Sequence, residues 1–424
     1  MLRAVLRRAA RAGDLQAQLI LDPATRSDPF PTHDRIRSQG RLVRGKLSYV
    51  SASHAACKQV LRSDDFRTGS PATRLPPVVE RVAAWSRRPR ALGPVEAPSL
   101  LAVEPPEHTR YRRLVSTVFN ARAVESLRER VQDTAEHLLD RLDHAARAGP
   151  VDLVAAYCSQ LPLTVIAEIL GVPAQDRARV LEFGHGAAPS LDVGLTWREF
   201  RQVDAALHAF DTWLGDHLER LRRNPGSDLL SQLVTVEEEG QRLNEGELRA
   251  TAGLLLAAGF ETTVNLLGSG TELLLRHPAQ LAVLREHPAL WSNAVEEVLR
   301  FESPVQVTAR VAQRDTAVLG VPVRAGRMVA TMLSGANRDP AVFTDPHRFD
   351  VRRANAREHL SFSAGRHFCL GAALARIEGE VGLRSLFERF PDLALAPGAQ
   401  RRATRVLRGW RQLPVLLGEH EHAG

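Results

Sequence analysis

The sequence predicts a mainly α-helical protein with minor β structure (α+β), folded as one large domain. Three observations carry this. A run from Asn244 to about Arg276 is apolar on nearly all sides, as in a helix buried at the centre of a large protein. Apolar residues recur at helical spacing over 107–145, 150–170 and 197–223, whereas alternating stretches are short and few. No Pro/Gly/Ser-rich linker or break in composition divides the 424 residues, and 44% hydrophobic with 25% charged residues is enough for one extensive core.

Residues 1–28 read as a basic, loosely amphipathic extension, a solvated first helix. They lack the apolar core of a signal peptide and are too short and charged for a transmembrane anchor. The main domain spans 29–424. It opens with a small β region over 29–60, marked by Arg41-Leu-Val-Arg and Leu47-Ser-Tyr-Val-Ser. Residues 72–106 are rich in Pro, Arg and Gly and form a long irregular loop of the kind that usually has a function. Residues 150–170 should form one buried helix and 197–223 a surface-amphipathic one. Asn244 followed by Glu247 is a capping-box start for the central helix. Pro278 and Pro288 punctuate the chain after that helix, and another helix ends near Phe301. Strand-like pieces occupy 305–329, and a loop-rich stretch precedes a last helix ending near Phe390.

Charge and cysteine usage exclude several functions. The net charge is +7, but Lys46 and Lys58 are the only lysines, and the arginines are spread along the chain without interleaved aromatics. No nucleic-acid site is expected. A basic patch for an acidic protein fits better. Cys57, Cys158 and Cys369 are odd in number and far apart, so neither a disulfide framework nor a zinc site is implied, and a reducing cytoplasm is expected.

Two segments carry chemistry. In Ser361-Phe-Ser-Ala-Gly-Arg-His-Phe-Cys-Leu-Gly, glycines at 365 and 371 allow close backbone approach to a flat object, and a helix start after Cys369 favours its thiolate. In Ala258-Gly-Phe-Glu-Thr-Thr, an acid and two hydroxyls interrupt an apolar helix. A buried carboxylate needs partners, and a mid-helix threonine can bond the carbonyl one turn back, loosening the helix there. Either segment alone could be structural.

Together they resemble the cytochrome P450 family in its soluble bacterial, ferredoxin-dependent branch, and the resemblance runs from about residue 29 to the C-terminus. It implies haem b with the Cys369 thiolate as axial ligand and O2 as co-substrate. Phe362, Gly365, Gly371, Ala258 and Gly259 would border the haem, and His108, Arg112, Arg310 and His367 would hold its propionates. Thr262 would stabilise iron-bound oxygen, and Glu261 would help deliver the protons that drive O–O cleavage. Glu297, Arg300 and Arg348 match the family's structural network beneath the cysteine loop. Ser363 stands where many relatives have glycine, which is tolerable if its φ is not positive.

No dinucleotide fingerprint or flavin domain is present, so the resemblance implies electrons from a ferredoxin served by a separate ferredoxin reductase. Arg110, Arg113, Arg366 and Arg376 are candidates for the docking patch. Leu254, Gln306, Thr308, Leu407 and Trp410 are candidate pocket walls, with 72–103 as lid. The mostly apolar set implies a hydrophobic substrate such as a lipid, sterol, terpene or polyketide, hydroxylated or epoxidised by a monomer. The alternatives are a peroxide-driven or ring-coupling oxidase of the same fold and a non-catalytic haem or small-molecule binder.

Overall fold

The structure, a computed structural model, describes residues 2–69, 96–118, 125–145, 149–235 and 242–418. Most of the long loop and lid expected over 72–106 lies outside the described residues. The helices that position the site are α1 (Leu2–Arg11), α2 (Glu107–Val118), α3 (Gln160–Ile169), α4 (Arg177–Ala187), α5 (Trp197–Arg223), α6 (Glu245–Arg276), α7 (Trp291–Phe301) and α8 (Ala372–Arg389).

Helix α6 is the axis of the molecule. Its start is the capping box expected: the Asn244 side chain accepts from the Glu247 N–H at 3.0 Å, and Glu247 accepts from the Asn244 N–H at 2.9 Å. From Thr263 to Leu274 every side is buried, packed among α3, α7 and α8. Between Gly253 and Gly259 one face is open. Length and composition would let α6 cross a membrane, but its apolar surface is largely covered by protein. The helical hydrogen bonding runs unbroken through Thr262, so the expected loosening does not interrupt it.

A five-stranded sheet has the order β1 (Val43–Arg44), β2 (Tyr49–Ser51), β5 (Met328–Met332), β4 (Val307–Ala312), β3 (Phe66–Thr68). Its pairs are antiparallel except β2 with β5. The register sets Arg310 between Thr68 and Val329, on the strand next to the sheet edge. Residues 150–170 are not one helix. Val151–Asp152 pairs with the C-terminal strand Pro414–Leu416, a π-turn spans Val154–Cys158, and α3 begins only at Gln160. The strand pairing and the Tyr157 hydroxyl bonded to the Gly382 carbonyl at 2.8 Å override the local periodicity.

Residues 2–27 pack onto the body. Leu6 and Ala17 are fully buried beside Ile20 and Val193. Arg405 donates to the Ile20 carbonyl at 2.9 Å, and Arg408 to the Arg26 carbonyl at 3.0 Å.

Beneath the cysteine loop, Arg300 is fully buried and holds Glu297 through two bonds of 2.6 and 2.8 Å. It also donates to the carbonyls of Asn337, Pro346 and Arg348. The third charge is Arg353, whose Nε donates to Glu297 at 3.2 Å. Arg348 was expected there, but its side chain is 66% exposed and only its carbonyl joins the network. The reason is reach: Arg353 folds back across a turn onto the Thr344, Asp345 and Arg348 carbonyls, while Arg348 points outward.

Arg353→Ala should therefore cost about 2–3 kcal/mol in denaturant unfolding, because it leaves buried charge less compensated. Arg348→Ala should stay within about 0.5 kcal/mol.

Candidate functional site

The cysteine loop is held from below. Glu296, next to Glu297 on α7, accepts from Arg376 at 2.7 Å and lies 3.0 Å from His359 Nε2, and these two neighbours help hold its carboxyl down at about 2. The Arg376 guanidinium also lies 4.6 Å from the centre of the Phe362 ring. Asn337 donates to Ser361 at 2.8 Å and accepts from the Leu360 N–H at 2.7 Å. Cys369 N–H closes the loop onto the Phe362 carbonyl at 2.9 Å. Sequence reading missed Glu296 and Arg353. The acid pair at 296–297 was the available signal for the first.

Cys369 opens into a cavity of about 2780 Å³. The same cavity is lined by Phe362, Gly371, His108, Arg112, Arg310 and His367, and by Ala258, Gly259, Glu261 and Thr262. Leu254, Gln306, Thr308 and Leu407 line it too. Trp410 does not: it is buried under the Arg401 guanidinium at 3.9 Å and against Gly268. The thiol pKa is raised by burial, which outweighs the Gly371 N–H, Arg112 and Arg376 that favour thiolate. The helix start at Ala372 alone therefore does not ionise it; metal ligation would.

Gly365 has φ +71°, and a Cβ there would stand 2.5 Å from the Leu61 carbonyl. Its need is thus close packing on the chain at Leu61, and it does not line the cavity. Gly371 faces open space. A Cβ on Gly259 would meet Ile166 at 2.8 Å, so that glycine serves the α3–α6 contact as well as the cavity wall. Ser363 has φ +63° and its buried hydroxyl has no partner. The condition for tolerating serine is not met, and the backbone is strained.

The basic residues in this cavity test the fit to haem. Arg310 is buried, and its bonds go to Thr308 Oγ1 at 3.2 Å and the Ala309 carbonyl at 2.9 Å, with no carboxylate paired to it among the described residues. Burial lowers its pKa to about 10. His108 Nε2 is buried without a partner, and its ring lies 4.4 Å from that of His367. Arg112, half-buried, also has no carboxylate pair among the described residues. Among the described residues Glu104 is the carboxylate that meets the group, 3.3 Å from His367, and it also pairs with Arg366 at 3.0 Å. A buried cation without a counter-ion is costly. The residues fit a flat ligand carrying two carboxylates beside a thiolate.

On α6, Thr262 Oγ1 donates to the Ala258 carbonyl at 3.2 Å, one turn back as expected. Glu261 is buried, and desolvation pushes its carboxyl up to about 7 against the opposing pull of Arg402. Arg402 lies 2.9 Å from one Glu261 oxygen, and His185 on α4 lies 3.8 Å from the other. Neither partner was foreseen, since each is more than seventy residues away in sequence.

The candidate docking arginines are mostly engaged. Arg110 pairs with Glu247 at 2.5 Å, Arg366 with Glu104 and Asp64, and Arg376 with Glu296, and Arg113, though exposed, is engaged as well. Their charge is largely offset within the chain.

A family model described as "Cytochrome P450" matches residues 188–403. The chain is 56% identical over 421 residues to the putative cytochrome P450 140 of Mycobacterium tuberculosis, covering 99% of this chain and 95% of that one. It is 41% identical to 6-deoxyerythronolide B hydroxylase of Saccharopolyspora erythraea, over 88% of this chain and 91% of that one. The solved structure of the Bacillus subtilis polyketide synthase cytochrome P450 PksS superposes with a TM-score of 0.80 at 32% identity, covering 93% and 98%.

Two substitutions probe the cation cluster and the strained loop. Arg310→Leu should reduce the haem retained per chain after gel filtration, read as Soret absorbance against protein. Ser363→Gly should raise the unfolding free energy by about 1 kcal/mol by relieving the positive φ.

Proposed function

The chain belongs to the cytochrome P450 family, and on that footing we propose that it oxidises a hydrophobic, polyketide-sized small molecule with O2 and two electrons from a ferredoxin, itself reduced by a separate ferredoxin reductase. It is a haem-thiolate monooxygenase by kinship with a hydroxylase and a monooxygenase that match 88% and 94% of its length. Haem ligated by the Cys369 thiolate supplies the iron at which O2 is activated.

The other tasks fall to side chains. Arg112, Arg310, His108 and His367 bind the propionates. Phe362 and Ala258 border the ring. Glu261 is the proton carrier, and the observation that carries this role is a buried carboxyl titrating near 7 one residue before the cavity-facing Thr262. Arg402 lies beside that carboxyl as its charge partner, while neither carboxyl oxygen takes a hydrogen bond among the described residues. Thr262 positions the proton at the reacting site and keeps its hydroxyl anchored on Ala258 in the meantime. The cavity is large and predominantly apolar, which favours bulky apolar substrates, and the relatives named for 6-deoxyerythronolide B and for a polyketide synthase fit that size. Gln306 orients a polar substituent: its Nε2 is bound to the Ser303 carbonyl at 2.6 Å, and its Oε1 is buried without a partner.

Arg110, Arg113, Arg366 and Arg376 form the docking face for the electron donor. The rate of reduction by an acidic ferredoxin should fall with salt.

Thr262→Ala should divert electrons from product to hydrogen peroxide, measured as product and peroxide per electron pair consumed. The raised pKa of Glu261 means its protonated form is lost as pH rises through about 7. Coupling should decline over that window, and Glu261→Gln should be low and flat across it. A spin-state titration with macrolactones and sterols tests the substrate class, and no shift with either would reject it.

A further inference from the structure

Among the described residues, eight large hydrophobics are exposed, and five of them line one cavity, Phe368 beside the cysteine and four others. Trp197, Phe200, Val5 and Leu101 are 74%, 42%, 51% and 37% exposed, and all four line the cavity that reaches Cys369. Trp197 and Phe200, three apart at the start of α5, stack with centroids 5.5 Å apart. Helix α1 is fastened beside them. Leu6 lies against Gly194, where a Cβ would meet it at 3.1 Å, and Arg3 contacts Glu199 at 3.9 Å. The exposed aromatic pair and α1 thus form one rim of the cavity mouth.

That rim is cationic. Arg7, Arg8, Arg11, Arg198 and Arg201 are exposed and carry no carboxylate partner among the described residues, and Glu199 is already met by Arg3. Leu6 and Ala9 face inward, so α1 turns its arginines outward. A protruding stacked Trp–Phe pair ringed by arginines is the composition of an interfacial membrane anchor, with aromatics at the headgroup level and cations on anionic lipid. A folded protein partner would need a pocket shaped to receive the pair, whereas a lipid interface deforms around it.

We infer that the α1–α5 rim docks peripherally on an anionic lipid surface, turning the cavity mouth toward the membrane so that an apolar substrate passes from lipid into the cavity. This rests on the reading of the cavity as the substrate's path. The docking itself is measurable without turnover.

The test is flotation of the purified holoenzyme with phosphatidylglycerol–phosphatidylcholine vesicles, with phosphatidylcholine vesicles as control. The protein should float with the anionic vesicles, and high salt should release it. Trp197→Ser with Phe200→Ser should weaken binding about tenfold or more through lost apolar burial. Arg7→Glu with Arg8→Glu should weaken it by at least about fivefold per arginine. These positions are exposed, and an unchanged carbon-monoxide difference spectrum checks that the variants are folded. Absence of flotation with the anionic vesicles overturns the proposal, as does flotation indifferent to both variant pairs. Binding to an acidic acyl carrier protein without flotation overturns it in favour of a protein partner. Flotation as expected alongside unaltered coupling in Thr262→Ala would leave the docking standing and reject only the catalytic reading.

Discussion

The site depends on one buried ion pair. Arg300 and Glu297 are both fully buried, and neither could remain charged there without the other. What Arg300 does with its remaining donors sets the architecture. It fastens the carbonyls of Asn337, Pro346 and Arg348 to α7, and Asn337 in turn fastens Ser361 at the head of the cysteine loop. Arg353 and the Asp350 N–H complete the Glu297 shell. Glu296 repeats the device one residue earlier, clasping His359 and Arg376 on either side of the loop. Two adjacent carboxylates on one helix thereby determine where Cys369 stands.

Above the loop the charge balance is reversed. Among the described residues, Arg310 and Arg112 are desolvated without a paired carboxylate, burial lowers the His108 pKa to about 4, and Glu104 is the carboxylate that meets the group through His367. A ligand that brings negative charge would stabilise such a set, which links cofactor retention to local stability. Nearby, Glu261 is held between ionised and neutral forms by burial on one side and Arg402 on the other. The charges beneath the loop are over-determined, whereas those facing the cavity are left partly unanswered.

Helix α6 serves both regimes. Its C-terminal half is packed on all sides and anchors the core, while Leu254, Leu255, Ala257, Ala258 and Gly259 face the cavity from its N-terminal half. The cavity continues from there to the cationic, aromatic rim at α1 and α5, so one helix connects the reacting centre to the surface.

By itself the sequence determined the helical class, the capping box at Asn244, the cysteine loop, the acid–threonine pair and the four cations around the cavity. These are local patterns of residue type and spacing, and side-chain chemistry constrains them directly. It misplaced the third member of the Glu297 network, took 150–170 for one helix, put Trp410 in the cavity wall and allowed Ser363 an ordinary φ. It also gave no sign that Arg402 and His185 reach Glu261. Each of these was decided by tertiary structure, because a buried charge takes whichever partner the fold brings within about 3–4 Å, and sequence distance does not encode that approach.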